Sequence, residues 1–202
     1  MPLQARGQAT VESILDATSN LIAEIGHEAV NTNLIASAAG VNIATLYQYF
    51  SNKQAILLAL FERQTNERVE TLKKLFGGIG SERPWRETVE TALDMVADMR
   101  MAQRGAAGIR LAIRASPELM EHDRRANKAA AAVMADSLVR VAGLTKEHAT
   151  TVAIIGMEIG TSLMDVWSLE YGPGDRSLVD EAKVALVAYL SFYFDRQQQM
   201  AS

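Results

Sequence analysis

The sequence predicts an all-α protein: an N-terminal three-helix unit followed by a helical bundle, about nine helices in all. Three observations predict it. Apolar residues recur at helical spacing along most of the chain. Hydrophobic residues make up 49% and aromatics only 6%, with Ala abundant. Pro is limited to four positions in 202 residues, a balance that suits helices better than sheets.

Residues 1–9 read as a short flexible arm containing Arg6. The first helix is expected from about Ala9 to Ile25, with Val11, Ile14, Leu15, Leu21, Ile22 and Ile25 as its apolar stripe and Gly26 as its stop. From Thr32 to Lys53 the chain reads as two short helices joined by a tight turn. Leu34, Ile35, Ala38 and Ala39 supply an apolar face, and Gly40 ends the helix without a Cβ penalty. Asn42 is an N-cap for the next helix, Ile43 to Phe50, in which Leu46 and Phe50 face inward while Thr45, Gln48 and Tyr49 face outward. Helix, Gly turn and a second helix with a polar outer face form the arrangement that enters a major groove. Two packed helices of any α-bundle use the same pattern.

Ser51 with Gln54 reads as a capping box for a long helix, about Asn52 to Phe76. Gly77, Gly78 and Gly80 then break the chain. The expected division is a DNA-binding domain at 1–53, the linking helix 52–76, and a bundle at 77–202. Pro84 opens a helix over about Trp85 to Ala102, and a short one follows from about Arg104 to Ala115, weakened by Gly105 and Gly108. Ser116-Pro117-Glu118 restarts the helix that runs to about Val141. Thr145 caps an eighth helix ending before Gly172-Pro173-Gly174, and a ninth runs from about Leu178 to Gln198.

Without cysteine, disulfides and thiolate metal sites are excluded. The N-terminal residues carry no apolar segment of signal-peptide type, and charges interrupt every long apolar run. The expectation is a soluble cytoplasmic protein with no membrane association. The net charge is −4, and residues 1–76 hold six Lys or Arg against seven acids, so no bulk positive field favours nucleic acid. Between Asn31 and Asn52, however, there is no acid at all. Helix N-termini at Thr32, Asn42 and Ser51 supply backbone donors for phosphates instead.

In the bundle, seven of the nine methionines lie between Met95 and Met164. Met is adaptable and suits either a pocket for varied apolar ligands or ordinary core. Met95 and Met99, with Arg110, Glu158 and Asp165 as polar anchors, are the expected effector residues. His122 and His148 have no ligand-spaced neighbours, so neither a metal nor another cofactor is expected. No nucleophile set, phosphate loop or nucleotide fingerprint is visible to support an enzyme. A helical adaptor for protein partners, or a helical enzyme of unrecognised chemistry, is the alternative class.

The wording I-A-x-x-A-G-V-x-x-A-T-L-Y-x-Y-F-x-N-K, at Ile35 to Lys53, resembles the DNA-binding segment of the TetR (tetracycline-repressor) family of bacterial transcriptional regulators. Ile14-Leu15-Asp16-Ala17 and Leu21 to Gly26 resemble that family's first helix, so the likeness covers about residues 10 to 62. The resemblance implies a homodimeric regulator, most often a repressor, released from a double-stranded DNA operator by a small-molecule effector. It implies that Thr32 and Tyr49 hydrogen-bond the DNA backbone and that Lys53 pairs with a phosphate. Asn42 caps the recognition helix, and Ile43, Ala44, Thr45, Tyr47 and Gln48 face base edges. Common family usage has a basic residue where Ile43 or Gln48 stands here, which argues against a guanine-rich operator. The resemblance also implies that the last two helices pair across a two-fold, which assigns Ile155, Ile159, Leu186, Leu190 and Phe194 to the dimer interface. Gly156 and Gly160 permit close helix approach there.

Overall fold

The structure, a computed structural model, describes residues 2–171 and 174–195. Among the described residues it holds nine α-helices and no strand. They are α1 (Pro2–Ala29), α2 (Thr32–Ala38), α3 (Ile43–Tyr49), α4 (Lys53–Gly77), α5 (Trp85–Ala102), α6 (Ala106–Arg114), α7 (Pro117–Ala142), α8 (Lys146–Val166) and α9 (Ser177–Phe194). A π-helical turn, Trp167–Tyr171, continues α8. The expected break at Gly172-Pro173 and the expected helix end at Gln198 lie outside the described residues.

The chain forms two compact units, Met1–Gln64 with Gln103–His122, and Thr65–Ala102 with Asp123–Ser202. This partition differs from the expected division at residues 53 and 77 in two ways. The break falls inside α4, and α6 belongs with the N-terminal helices.

In the first unit, Ile14, Ile22, Ile35, Leu46 and Ile56 share one core with Ile109 and Ile113 of α6. The expected arm is helical instead, since α1 starts at Pro2. Proline suits the first helical position because its missing N–H has no partner to lose there. Gly26 does interrupt α1, with φ 76° and ψ 155°. Ile25, just before that break, is 46% exposed rather than part of the stripe.

Two glycines of α6 explain its placement. A Cβ on Gly105 would lie 2.7 Å from the Ser19 carbonyl oxygen, and one on Gly108 would lie 2.6 Å from the Ile22 Cγ2. These glycines let α6 press against α1. Gly105 stands just before α6 as its left-handed cap, and Gly108 lies within the helix.

In the second unit, α5, α8 and α9 pack around Leu93, Val152, Met164, Trp167 and Leu190. The Gly77–Gly80 segment is packed into this unit, not a loose boundary. Ile79 is fully buried, the Ser137 hydroxyl donates to the Phe76 carbonyl at 2.6 Å, and Arg140 donates to the Gly77 and Ile79 carbonyls at 3.1 and 3.0 Å. The segment Lys146–Tyr171 is long and apolar enough by length and composition to cross a membrane, although Glu158 and Asp165 interrupt it. It is a core element of the unit: Val152, Ala153, Met157, Met164 and Trp167 are buried in it.

Candidate nucleic-acid interface and effector cavity

Local sequence builds the two short helices. α2 begins at Thr32, as expected, and Asn31 caps it, its side-chain oxygen accepting from the Leu34 N–H at 3.1 Å. Asn42 does the same for α3, accepting from the Thr45 N–H at 2.7 Å. Gly40 turns between them with φ 69°, and the Val41 N–H closes onto the Ala36 carbonyl at 3.0 Å. The Ser13 hydroxyl donates to the Ala39 carbonyl at 3.0 Å, pinning this turn to α1. Asn52, not Ser51, caps α4, accepting from the Ala55 N–H at 2.9 Å. An amide oxygen three residues before the N–H it accepts from is the better-placed acceptor here.

Burial sets the orientation of α3. Leu46 is fully buried and Phe50 nearly so, while Ile43, Ala44, Tyr47, Gln48 and Tyr49 are exposed and Thr45 is half-buried. The expected base-facing set therefore lies together on one outer face. On α2 the buried pair is Ile35 and Ala36, and Leu34 is 40% exposed, so its apolar face is narrower than expected.

Two expected backbone contacts are already engaged within the protein. The Thr32 hydroxyl lies 3.1 Å from the Tyr47 hydroxyl, which ties the start of α2 to the outer face of α3. Lys53 Nζ donates to the His27 carbonyl at 2.6 Å and to the Glu28 carbonyl at 3.4 Å. A cation on the last carbonyls of a helix offsets the negative end of its dipole.

The second unit contains a cavity among α4, α5, α7, α8 and α9. About 520 Å³ of empty space lies there counted out to its mouth, of which about 50 Å³ admits the centre of a water molecule. Its walls are apolar, with Leu72, Leu93, Met134, Met157, Met164 and Leu186 prominent, and two guanidinium groups, Arg68 and Arg100, reach it. Arg68 lies 3.4 Å from Asp123, both side chains 12% exposed. Arg100 lies 2.8 Å from Asp165, with side chains 10% and 7% exposed, and donates to the Ser168 hydroxyl at 3.2 Å.

The expected effector residues are distributed otherwise. Met95 and Met99 are half-buried but do not line this cavity. Arg110 belongs to α6 in the first unit, and Glu158 is exposed. Asp165 is buried and acts through Arg100 rather than by reaching the cavity itself. Arg68 and the three lining methionines were missed, although the run of methionines pointed to the right helices. Gly156 and Gly160, read as helix-contact glycines, line the cavity, with the space over Gly160 bounded by Leu186 at 3.4 Å and Leu93 at 3.8 Å.

The expected dimer residues divide in the same way. Leu186, Leu190 and Phe194 are buried in their own unit, where Phe194 stacks on Trp85 with ring centroids 4.8 Å apart. They face the bundle, not outward. Ile159 is half-buried and Ile155 is 42% exposed. The apolar residues that do face outward on α9 are Val184 and Phe192, at 62% and 59% exposed.

Comparison with known proteins places this geometry in context. Residues 14–60 match the model for bacterial regulatory proteins of the tetR family, and residues 84–190 match that for the tetracyclin repressor-like C-terminal domain. The fatty acid metabolism regulator protein of Bacillus subtilis is 38% identical over 61 residues, 30% of this chain and 31% of that protein. The chain thus spans about a third of the length of that relative. The HTH-type transcriptional activator FasR of Mycolicibacterium smegmatis is 25% identical over 186 residues, 90% of this chain and 80% of that one. Among solved structures, FadR from Bacillus subtilis in complex with stearoyl-CoA superposes with a TM-score of 0.67 at 21% identity, covering 89% of this chain and 97% of that chain. At that identity the likeness is one of fold.

Proposed function

Because this chain belongs to the TetR family of bacterial regulatory proteins, we propose that it is a ligand-responsive DNA-binding transcriptional regulator, acting in the cytoplasm as a homodimeric repressor. The observation that carries this reading is the outer face of α3. Ile43, Ala44, Tyr47 and Gln48 stand exposed on a helix whose opposite face is locked down by Leu46. No acid lies between Asn31 and Asn52 to repel phosphate. Gln48 pairs bidentately with adenine, and Ile43 and Ala44 pack on thymine methyls. The N-termini of α2 and α3 donate to phosphates, and Thr32 and Tyr49 add hydroxyl donors at the edge.

The second copy docks on the outer face of α8 and α9, where Ile155, Val184 and Phe192 are exposed. Two recognition helices then reach successive major grooves roughly 34–36 Å apart. A small molecule in the cavity of the second unit binds one state of the dimer better than the other. Coupling of about 1–3 kcal/mol lowers operator affinity several-fold to a hundredfold. The name of the relative that matches over most of this chain, an activator, favours activation as the second reading. A promoter fusion read with and without the protein separates the two.

Fluorescence anisotropy of the full chain on DNA from upstream of its own gene, against a scrambled control, tests the proposal. Sequence-selective binding that weakens as salt rises is expected. Equal binding to every sequence, including selected random DNA, would refute it.

A further inference from the structure

The charges that meet the cavity of the second unit cancel. Two guanidinium groups, Arg68 and Arg100, reach it, and a guanidinium is always charged. Each stands beside a carboxylate of the same unit, Arg68 with Asp123 at 3.4 Å and Arg100 with Asp165 at 2.8 Å, and all four side chains are 12% exposed or less. All four also hold further interactions, so these charges are committed within the protein. An ion entering the cavity would have to break a pair or stay unpaired against an apolar wall, and either course is costly. An uncharged molecule meets neither cost. The remaining lining is apolar side chains, two glycines and Thr161, which supplies one neutral hydroxyl.

The two glycines show where such a molecule has room. Gly156 and Gly160 stand one turn apart on α8, and both line the cavity. A glycine inside a helix makes it less stable than alanine would, so a packing reason is the usual one. Packing does not require it here. A Cβ on Gly156 would approach its nearest tertiary neighbours, Leu186 and Met134, to 3.9 Å, and one on Gly160 would approach Leu186 to 3.4 Å. These are ordinary contacts, unlike the 2.6 Å met at Gly108. What the two glycines supply is open space along α8.

We propose that the cavity binds an uncharged, slender aliphatic molecule, which lies over Gly156 and Gly160 against Leu93 and Leu186 while Arg68 and Arg100 stay with their carboxylates. This rests on the cavity being the effector site of the preceding section. The space that admits the centre of a water molecule is only about 50 Å³, which suits a single chain rather than a bulky ring system. It widens along that chain by rotamer changes of Met134, Met157 and Met164, whose unbranched side chains repack easily.

Isothermal titration of the full chain with octanol, octanoate and octylammonium at neutral pH tests the assignment. Octanol is expected to bind about tenfold or more tighter than either ion, since each ion must be desolvated without a partner. The double variant Gly156→Ala/Gly160→Ala places two methyl groups where the chain lies. It is expected to weaken octanol about tenfold while its thermal midpoint is kept or raised, because alanine suits a helix better than glycine. Gly156→Ala alone, at the roomier position, repeats the test with one methyl group and is expected to weaken octanol severalfold. No binding of octanol, an ion that binds as tightly as octanol, or octanol affinity unchanged in both variants would each overturn the proposal. Operator binding is followed separately. Selective octanol binding that leaves DNA affinity unchanged supports the uncharged ligand and refutes the cavity's regulatory role. Release of DNA by octanoate or octylammonium as readily as by octanol supports the effector cavity and refutes the uncharged ligand.

Discussion

The Ser19 hydroxyl donates to the Arg104 carbonyl oxygen at 2.6 Å, fastening the start of α6 to the middle of α1. Gly105, with φ 74°, and Gly108 sit directly over this contact. The joint therefore tolerates no side chain. Gly108→Ala is expected to cost about 1–3 kcal/mol through overpacking on buried Ile22. Gly105→Ala is expected to cost more, since it adds backbone strain and faces a carbonyl that cannot rotate away. Thermal unfolding should show the loss at roughly 2–4 °C per kcal/mol. Gly77→Ala, with open space around its Cβ position, is the control and should not lower the midpoint.

Lys53 caps the end of α1 through the His27 carbonyl. Lys53→Met should lower stability by about 1 kcal/mol, the usual worth of such a bond. It should leave the salt dependence of DNA binding nearly unchanged. A slope reduced by about one would mean instead that Lys53 leaves α1 for a phosphate when DNA binds.

Arg100 and Asp165 form the most buried ion pair described in the second unit. Removing one member leaves the other charged in an apolar setting. Asp165→Ala is expected to cost about 3–5 kcal/mol, and Arg100→Met/Asp165→Leu together much less. Denaturant unfolding of the two single variants and the double closes this cycle. Additive losses would show that the pair is not coupled.

The outer and inner faces of α9 should separate cleanly. Val184→Glu or Phe192→Asp should give a folded monomer, with unchanged helical circular dichroism and half the mass by light scattering. Leu186→Asp should instead unfold the second unit, because that position is buried in it. A dimer that survives both outer substitutions would move the interface elsewhere.

The N-terminal helices were legible because their signals are local. Gly40, Asn42 and the Leu46–Phe50 pair act within a few residues of themselves, and the structure uses each as the sequence suggested. One cap shifted by one residue, from Ser51 to Asn52, since neighbouring Ser and Asn compete for the same role. The cavity was not legible because it is assembled from residues far apart in the chain. Arg68 and Asp123 stand 55 positions apart, and nothing near either residue announces the other. On α9, apolar residues surround the helix, so periodicity could not tell Leu186 and Phe194 from Val184 and Phe192. The role of Gly105 and Gly108 is illegible for a related reason. A glycine that weakens an isolated helix is also what lets that helix approach another.

On the proposed function, α3 reads base edges. Selecting bound sequences from random double-stranded DNA with the full chain, then repeating the selection with Gln48→Ala, tests it most directly. An enriched palindromic motif with half-sites about one helical turn apart is expected. The variant is expected to relax the preference at the adenine that Gln48 contacts and to leave the other positions intact. No enriched motif, or one indifferent to Gln48 and equally to Tyr47→Ala, would contradict it.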